Sequence, residues 1–444
     1  MANTLLIKNG IVVTLGGENK VLYEHSVLCE NGLIKKIGKN NEFKGKYNRV
    51  LDASGKVVLP GFINVHMHFY STMVRGLGKA KPSKDFAEVL KNLWWRLDKK
   101  LRLEDCYYSA LLPLVDAIKH GTTTLIDHHA SPFAARGSLD VIAKAVKKTG
   151  LRASLCYEVS DRDGPKAAQD GLDENTSFIK HCLTKEKTEQ LKALFGLHAS
   201  FTLTNKTLEK ASQAARDLNT GFHIHVAEAK SDQDFNVKHF KMRVVERLNR
   251  FGILGPQTIA AHCVHVNDRE MNLLAGTQTA VAHNPQSNMN NAVGVADILK
   301  MFKKGILVGL GTDAMTVNML EEVRAALWVH HLAQNNPSVG FMESLSTLLI
   351  NNARIADRYW ETGLGEIREG FAADIILMDY FPPTPFNENT FLGHLGFGLF
   401  QSFVDTTIAG GKILMENKKL KIDLDEEEIA AKSQELSKKL WKRF

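Results

Sequence analysis

The sequence predicts an α/β protein in which a (β/α)8 TIM barrel is inserted into a small β-sandwich domain formed by both termini. Three observations carry that expectation. Eight short apolar runs alternate with amphipathic stretches through the middle of the chain. Residues 3–52 hold strand-like runs separated by turn signals, with no convincing helix among them. After a helix near 342–357 the chain returns to strands at 365–379 and 403–421. The expected division is a discontinuous sandwich of 1–58 and 365–421, a barrel of 59–364, and a C-terminal helix over 422–444. At ~100–200 residues per domain, 444 residues would otherwise suggest two to four units in chain order.

The eight runs fall at 57–68, 121–129, 152–159, 194–201, 221–228, 258–265, 279–285 and 307–314. Each is a short stretch dominated by apolar or small side chains, as parallel strands buried on both faces require. Between them, 138–149 repeats Leu139, Ile142, Ala143 and Val146 at helical spacing and stops at Gly150. Similar helices are expected near 205–218, 234–251, 268–275, 297–304 and 319–334, and two more, near 85–99 and 104–119, fill the long excursion between the first two strands. The tail begins with acids and ends with bases, favourable for a helix dipole.

Composition excludes several classes. The five cysteines (29, 106, 156, 182 and 263) form no C-x-x-C pair, which disfavours a disulfide scaffold, a zinc ribbon or a thioredoxin-type site. A redox role for Cys156 or Cys182 lacks a recognisable partner residue. No apolar run approaches the ~18 residues of a membrane span, and residues 4–15 read as two strands rather than a signal peptide, so a cytoplasmic protein without membrane contact is expected. The net charge of +7 is small and scattered, and no basic stripe with interleaved aromatics indicates nucleic acid. Phosphate-loop, nucleophile-elbow, H-E-x-x-H and H-x-E…P-C-x-x-C signatures are all missing.

The 17 histidines carry the strongest signal, because His, Asp and Glu collect where the runs end, which in such a barrel is the functional face. On the first strand, a period of two points His66 and His68 the same way, so both can bind one metal. His225 ends the fifth run, with His223 deeper as a core residue and Glu228 three residues on, placed as a general acid/base. Asp313, after Gly309 and Gly311, can complete a His3Asp set and accept a proton from water. His262 can orient the attacking hydroxide, with Cys263 facing away into the core and His265 in the loop. His198 ends the fourth run as a substrate contact, and of His128 and His129 only one can face the interior. The fourth run contains no Lys to bridge two metals, so one divalent ion is expected, zinc rather than iron.

In order along the chain, PGFINVHMHF, GLHAS, HIHVAE, AHCVH, HNPQSNMN and GLGTDA resemble the amidohydrolase superfamily, in its cytosine/guanine deaminase and triazine hydrolase branch. MHFYSTMVRGL, LKNLWWRLDK, IDHHASP and SNMNNAVG are similar to the SsnA-type aminohydrolases within it. The resemblance implies His66, His68, His225 and Asp313 as metal ligands, Glu228 as the proton shuttle and His262 as the imidazole steering water. It also implies Arg75 and His198 as substrate contacts. Many relatives read HAP where this chain has His198-Ala199-Ser200. The activity implied is hydrolytic deamination of a purine-like heterocycle, with a small-molecule partner and a homodimer. Hydrolysis of a cyclic amide or substituted triazine at the same metal is the alternative, and a non-catalytic ligand-binding barrel is the third.

Overall fold

The computed structural model describes residues 3–184 and 188–444. Eight parallel strands run through the middle of the chain: Phe62–Met67, Thr122–Asp127, Arg152–Leu155, Phe195–Ala199, Phe222–Val226, Ile259–His262, Ala280–His283 and Val308–Leu310. The first three pair in succession, and the last five do the same. A short strand, Leu191–Ala193, pairs in parallel alongside the third. Isolated parallel bridges join Val159 to Leu197 and Met67 to Asp313, one at each junction between the two sets. This mixed α/β arrangement is consistent with a (β/α)8 barrel. Every residue of the eight strands is buried, which is why their sequences are apolar runs rather than alternations.

The ends of the chain meet. One four-stranded sheet holds Thr4–Lys8, His25–Glu30, Leu33–Lys39 and Arg49–Asp52. A seven-stranded sheet joins Ile11–Val13, Val21–Leu22 and Lys56–Pro60 to Ile375–Asp379, Val404–Ala409, Lys412–Glu416 and Lys419–Leu420. Leu5, Ile7, Val27 and Ile34 from the first share one core with Val12, Val58, Ile375 and Ile408 from the second. Arg152, on the third parallel strand, donates to the buried carboxylate of Asp374 at 2.9 Å and so ties these sheets to the central strands.

Several helices depart from expectation. The helix expected over 234–251 is two, Lys230–Phe240 and Val244–Arg250, because Lys241 takes a left-handed backbone with φ 56°. The stretch near 85–99 winds as short pieces, Phe86–Val89, Leu90–Trp94, Trp95–Leu97 and Asp98–Lys100, the second with a wider turn. A similar wide turn interrupts the 342–357 helix at Thr347–Asn351. The 20-residue helix Pro165–Thr184 is not among those expected from sequence; its buried face has helical spacing, but Gly171, Glu174 and Asn175 stand on it beside Ala168, Leu172, Phe178 and Ile179 and hide the apolar period.

The C-terminal helix Glu426–Arg443 lies against Leu103–Lys119 and the excursion before it. Trp441 Nε1 donates to Met73 O at 2.8 Å, and the Arg96 guanidinium stacks 4.0 Å above the Phe444 ring. No helix among the described residues is long and apolar enough to cross a membrane.

Candidate active site

The site forms where the parallel strands end. Alternation along Phe62–Met67 and its continuation puts Asn64, His66 and His68 on one side. Asp313 reaches the same place from beyond the eighth strand: its N–H donates to His66 O at 3.0 Å, and His68 N–H donates to Asp313 O at 3.2 Å. Gly311 makes that approach feasible, since a Cβ there would stand 2.7 Å from His66 Cβ. The ligating atoms of His66, His68, His225 and Asp313 all lie within 4.8 Å of one another. Asp313 Oδ1 is 3.0 Å from His68 Nε2 and 3.5 Å from His66 Nε2.

The ring protons show that this donor set suits a cation. His68 Nδ1 lies 2.5 Å from His128 O, and His225 Nδ1 lies 3.0 Å from His198 O. A carbonyl only accepts, so each ring carries its hydrogen on Nδ1 and, when neutral, turns a bare Nε2 inward. Those two Nε2 atoms are 3.1 Å apart. Two nitrogens at that distance need a positive charge between them, a metal ion or, without one, a proton, and Asp313 at 3.0 Å favours either against the cost of burial. His66 repeats the pattern: Nδ1 meets His223 Nε2 at 2.8 Å, while the buried Nε2 has no hydrogen-bond partner. Three imidazoles held by partners on their far nitrogens, plus one carboxylate, are donors that zinc accepts. The residues present fit one divalent metal.

Glu228, His262 and Asp313 converge beside that set, their ligating atoms again within 4.8 Å. Glu228 Oε2 is 3.5 Å from His262 Nε2, and Asn291 Nδ2 donates to Glu228 Oε1 at 3.3 Å. Burial, with Asp313 and Asp232 nearby, raises the Glu228 carboxyl well above the usual range, which favours its protonated form. His262 Nδ1 bonds Asn288 Oδ1 at 2.9 Å, which directs an unpaired Nε2 at the site. Ala227, His262, Cys263 and Asp313 all carry left-handed backbone, with φ of 46°, 72°, 52° and 51°. Such strain, ~1–3 kcal/mol at a non-glycine residue, collects where geometry serves chemistry.

A cavity of about 640 Å³, measured with its open mouth, lies over these groups. His68, His198, His225, Glu228 and Asp313 line it. So do residues that sequence reasoning did not assign to the site: Glu158, Arg162, and the aromatic wall of Tyr70, Trp94, Trp95 and Phe201. Glu158 had a signal, since it ends the third run, and the Trp pair lies in LKNLWWRLDK, a motif of the resemblance, whereas Arg162 had none. Burial works against the Glu158 carboxylate, but His128 and Arg162 beside it outweigh that and hold the group below its usual range. Burial also lowers His198, to about 4.

Arg75 is not brought to the cavity: its side chain is 57% exposed and pairs with Asp116 at 3.3 Å. Of the two adjacent histidines, His128 points inward, its Nδ1 3.3 Å from Glu158, while His129 turns to Ser131. His223 is buried behind His66, and Cys263 lies in the core. Cys156 is buried too, with a thiol raised well above its usual pKa by burial, which does not suit a redox role.

Parallel strands whose ends present a three-His, one-Asp cage with an acid beside it define a hydrolase of the metal-assisted class. The chain belongs to the amidohydrolase family, which its residues 57–414 match, and it is a hydrolase of carbon–nitrogen bonds other than peptide bonds. It is 32% identical over 442 residues to a 5-methylthioadenosine/S-adenosylhomocysteine deaminase of Syntrophomonas wolfei, covering 98% of this chain and 99% of that one. It is also 32% identical to a 5'-deoxyadenosine deaminase of Methanobrevibacter smithii, with 99% and 98% covered. In fold it is similar to an adenosine deaminase from Xanthomonas campestris with bound zinc, at a TM-score of 0.86, 21% identity and 98% coverage of both chains. Atrazine chlorohydrolase from Arthrobacter aurescens TC1 gives 0.78, at 22% identity, with 98% and 100% covered.

Proposed function

We propose that this chain is a metal-dependent aminohydrolase that deaminates a purine-like amino-heterocycle, with a 6-aminopurine nucleoside such as 5-methylthioadenosine or 5'-deoxyadenosine as the nearest candidate. The carrying observation is the four-residue donor set with Glu228 and His262 beside it in one cavity. The names of the full-length relatives support the purine. His66, His68, His225 and Asp313 would hold the ion, zinc in preference to iron. Bound there, it would supply Lewis acidity, bringing water towards deprotonation near neutral pH.

The chain's own groups do the rest. Asp313 and His262 orient the attacking water and take its proton. Glu228, protonated, gives a proton to the ring nitrogen beside the attacked carbon; the proton taken from water passes to the amino group, which leaves as ammonia, and the hydroxyl proton released as the carbonyl forms returns to Glu228. The aromatic wall of Tyr70, Trp94, Trp95 and Phe201 is suited to stack a flat ring.

The same reading takes the chain as a barrel, 59–364, inserted into a sandwich of 1–58 and 365–421, with a terminal helix over 422–444. It includes the SsnA-type resemblance, a cytoplasmic location and a homodimer. The metal and acid would serve a triazine or cyclic amide equally, and the fold likeness to atrazine chlorohydrolase keeps that reading second. Metal analysis, then ammonia release across adenosine derivatives, guanine, a pterin and a triazine, separates the two. Turnover without ammonia would favour the second.

A further inference from the structure

One wall of the cavity has no part in the chemistry proposed above, yet it is built with care. Glu158 lies in an extended segment whose backbone is locked on both sides: its N–H donates to His129 O at 2.7 Å, and His198 N–H donates to Val159 O at 2.9 Å. Tyr157 and Val159 belong to the hydrophobic core, so the side chain between them faces the other way, into the cavity.

One of its neighbours presents a lone pair rather than a hydrogen. His128 Nε2 is 3.1 Å from both Leu197 O and His223 O, and its Nδ1 meets Glu158 Oε2 at 3.3 Å, so that ring occupies the carboxylate's other oxygen. His198 Nδ1 is 2.6 Å from Thr202 Oγ1, and that hydroxyl donates onward to Ala199 O at 3.0 Å. The hydrogen of His198 is therefore on Nδ1, and its Nε2 accepts. Glu158 Oε1 and His198 Nε2 stand 3.7 Å apart in the cavity wall, two acceptors face to face. Arg162 lends Glu158 its charge from nearby, while its Nε donates to Asp163 at 3.0 Å and a terminal nitrogen pairs with Asp98.

We propose that Glu158 and His198 form a donor-reading subsite: an N–H or O–H of the substrate, separate from the amino group that is lost, seats between Glu158 Oε1 and His198 Nε2. The subsite rests on the aminohydrolase reading for its biological meaning and makes Glu158 a specificity determinant of that reaction. The donor has two chemical sources, a second ring amino group or a sugar hydroxyl.

Calorimetric binding to the zinc-loaded full chain tests both. One pair is 2-aminobenzimidazole against benzimidazole; the other is purine riboside against its 2′,3′-dideoxy analogue. The donor-bearing member of at least one pair should bind about tenfold tighter or more, the worth of one charge-assisted hydrogen bond, and the pair that shows it identifies the source. Glu158→Gln, with metal content and melting temperature unchanged, should shrink that preference about fivefold and act on KM more than kcat for any substrate turned over. Equal binding within both pairs by the wild type, which no folding defect can mimic, overturns the subsite. So does a preference that Glu158→Gln leaves intact. Ammonia release by the wild type is scored separately: its failure with the donor preference present sinks the deaminase reading alone.

Discussion

His68 and His225 hold their Nε2 atoms 3.1 Å apart while each ring's other nitrogen is fastened to a backbone carbonyl. The pair is preorganised for a positive charge, a metal ion or a proton. Chelation should therefore abolish activity and lower the melting temperature, and zinc should restore both, because an ion that binds only the folded chain stabilises it by mass action. Scanning calorimetry with and without chelator checks this. An unchanged melting temperature in protein shown to have lost its metal would contradict the assignment.

Glu228 approaches His262 and Asp313 without belonging to the three-His cage. Glu228→Gln should keep one metal per chain and lose about 10²–10⁴ in kcat, the usual worth of a placed acid. Elemental analysis and steady-state rates on the same sample decide it. Retained wild-type turnover would remove Glu228 from the mechanism.

Asn288 holds His262 by its far nitrogen at 2.9 Å. Asn288→Ala frees the ring to rotate, and activity should fall about 10–100-fold, as when a residue that orients a metal-site ligand is lost. Metal content should stay whole. Rate loss together with metal loss would instead place Asn288 in support of the cage.

Much of this site was legible from residue type and spacing. A period of two on a strand puts His66 beside His68, and a run ending in a His or acid marks the functional end of a barrel strand. The cavity wall was less legible. Trp94 and Trp95 come from the excursion between the first two strands, whose path over the cavity depends on the C-terminal helix hundreds of residues away. Arg162 is drawn in by Asp98, a partner 64 positions earlier. Arg75 misled because a long side chain can turn from a site to a surface acid, here Asp116.

That same wall predicts which adenosine derivatives are poor substrates. Glu158, Glu228, Asp232 and Asp313 line the cavity, while the lining guanidinium of Arg162 is already held by Asp98 and Asp163. A substrate whose only charge is a carboxylate, such as adenosine-5'-carboxylate, meets there only a guanidinium already engaged in ion pairs. Its kcat/KM should fall at least tenfold below that of 5'-deoxyadenosine in low salt. Parity between the two would show that Arg162 exchanges its partners for the substrate.

The C-terminal helix should act on binding from outside the cavity. Trp441 and Phe444 hold the excursion at Met73 and Arg96, and that excursion carries Phe86, Leu90, Trp94 and Trp95 to the cavity wall. Trp441→Ala removes one hydrogen bond and a large packed ring, a loss of about 1–3 kcal/mol. Because the strand ends that carry the metal cage do not rest on this helix, metal content should hold. Loosening of the aromatic wall should raise KM severalfold with kcat changed less. Paired measurements of metal content and KM on the variant check this, and a fall confined to kcat would show that the helix supports the chemistry rather than the wall.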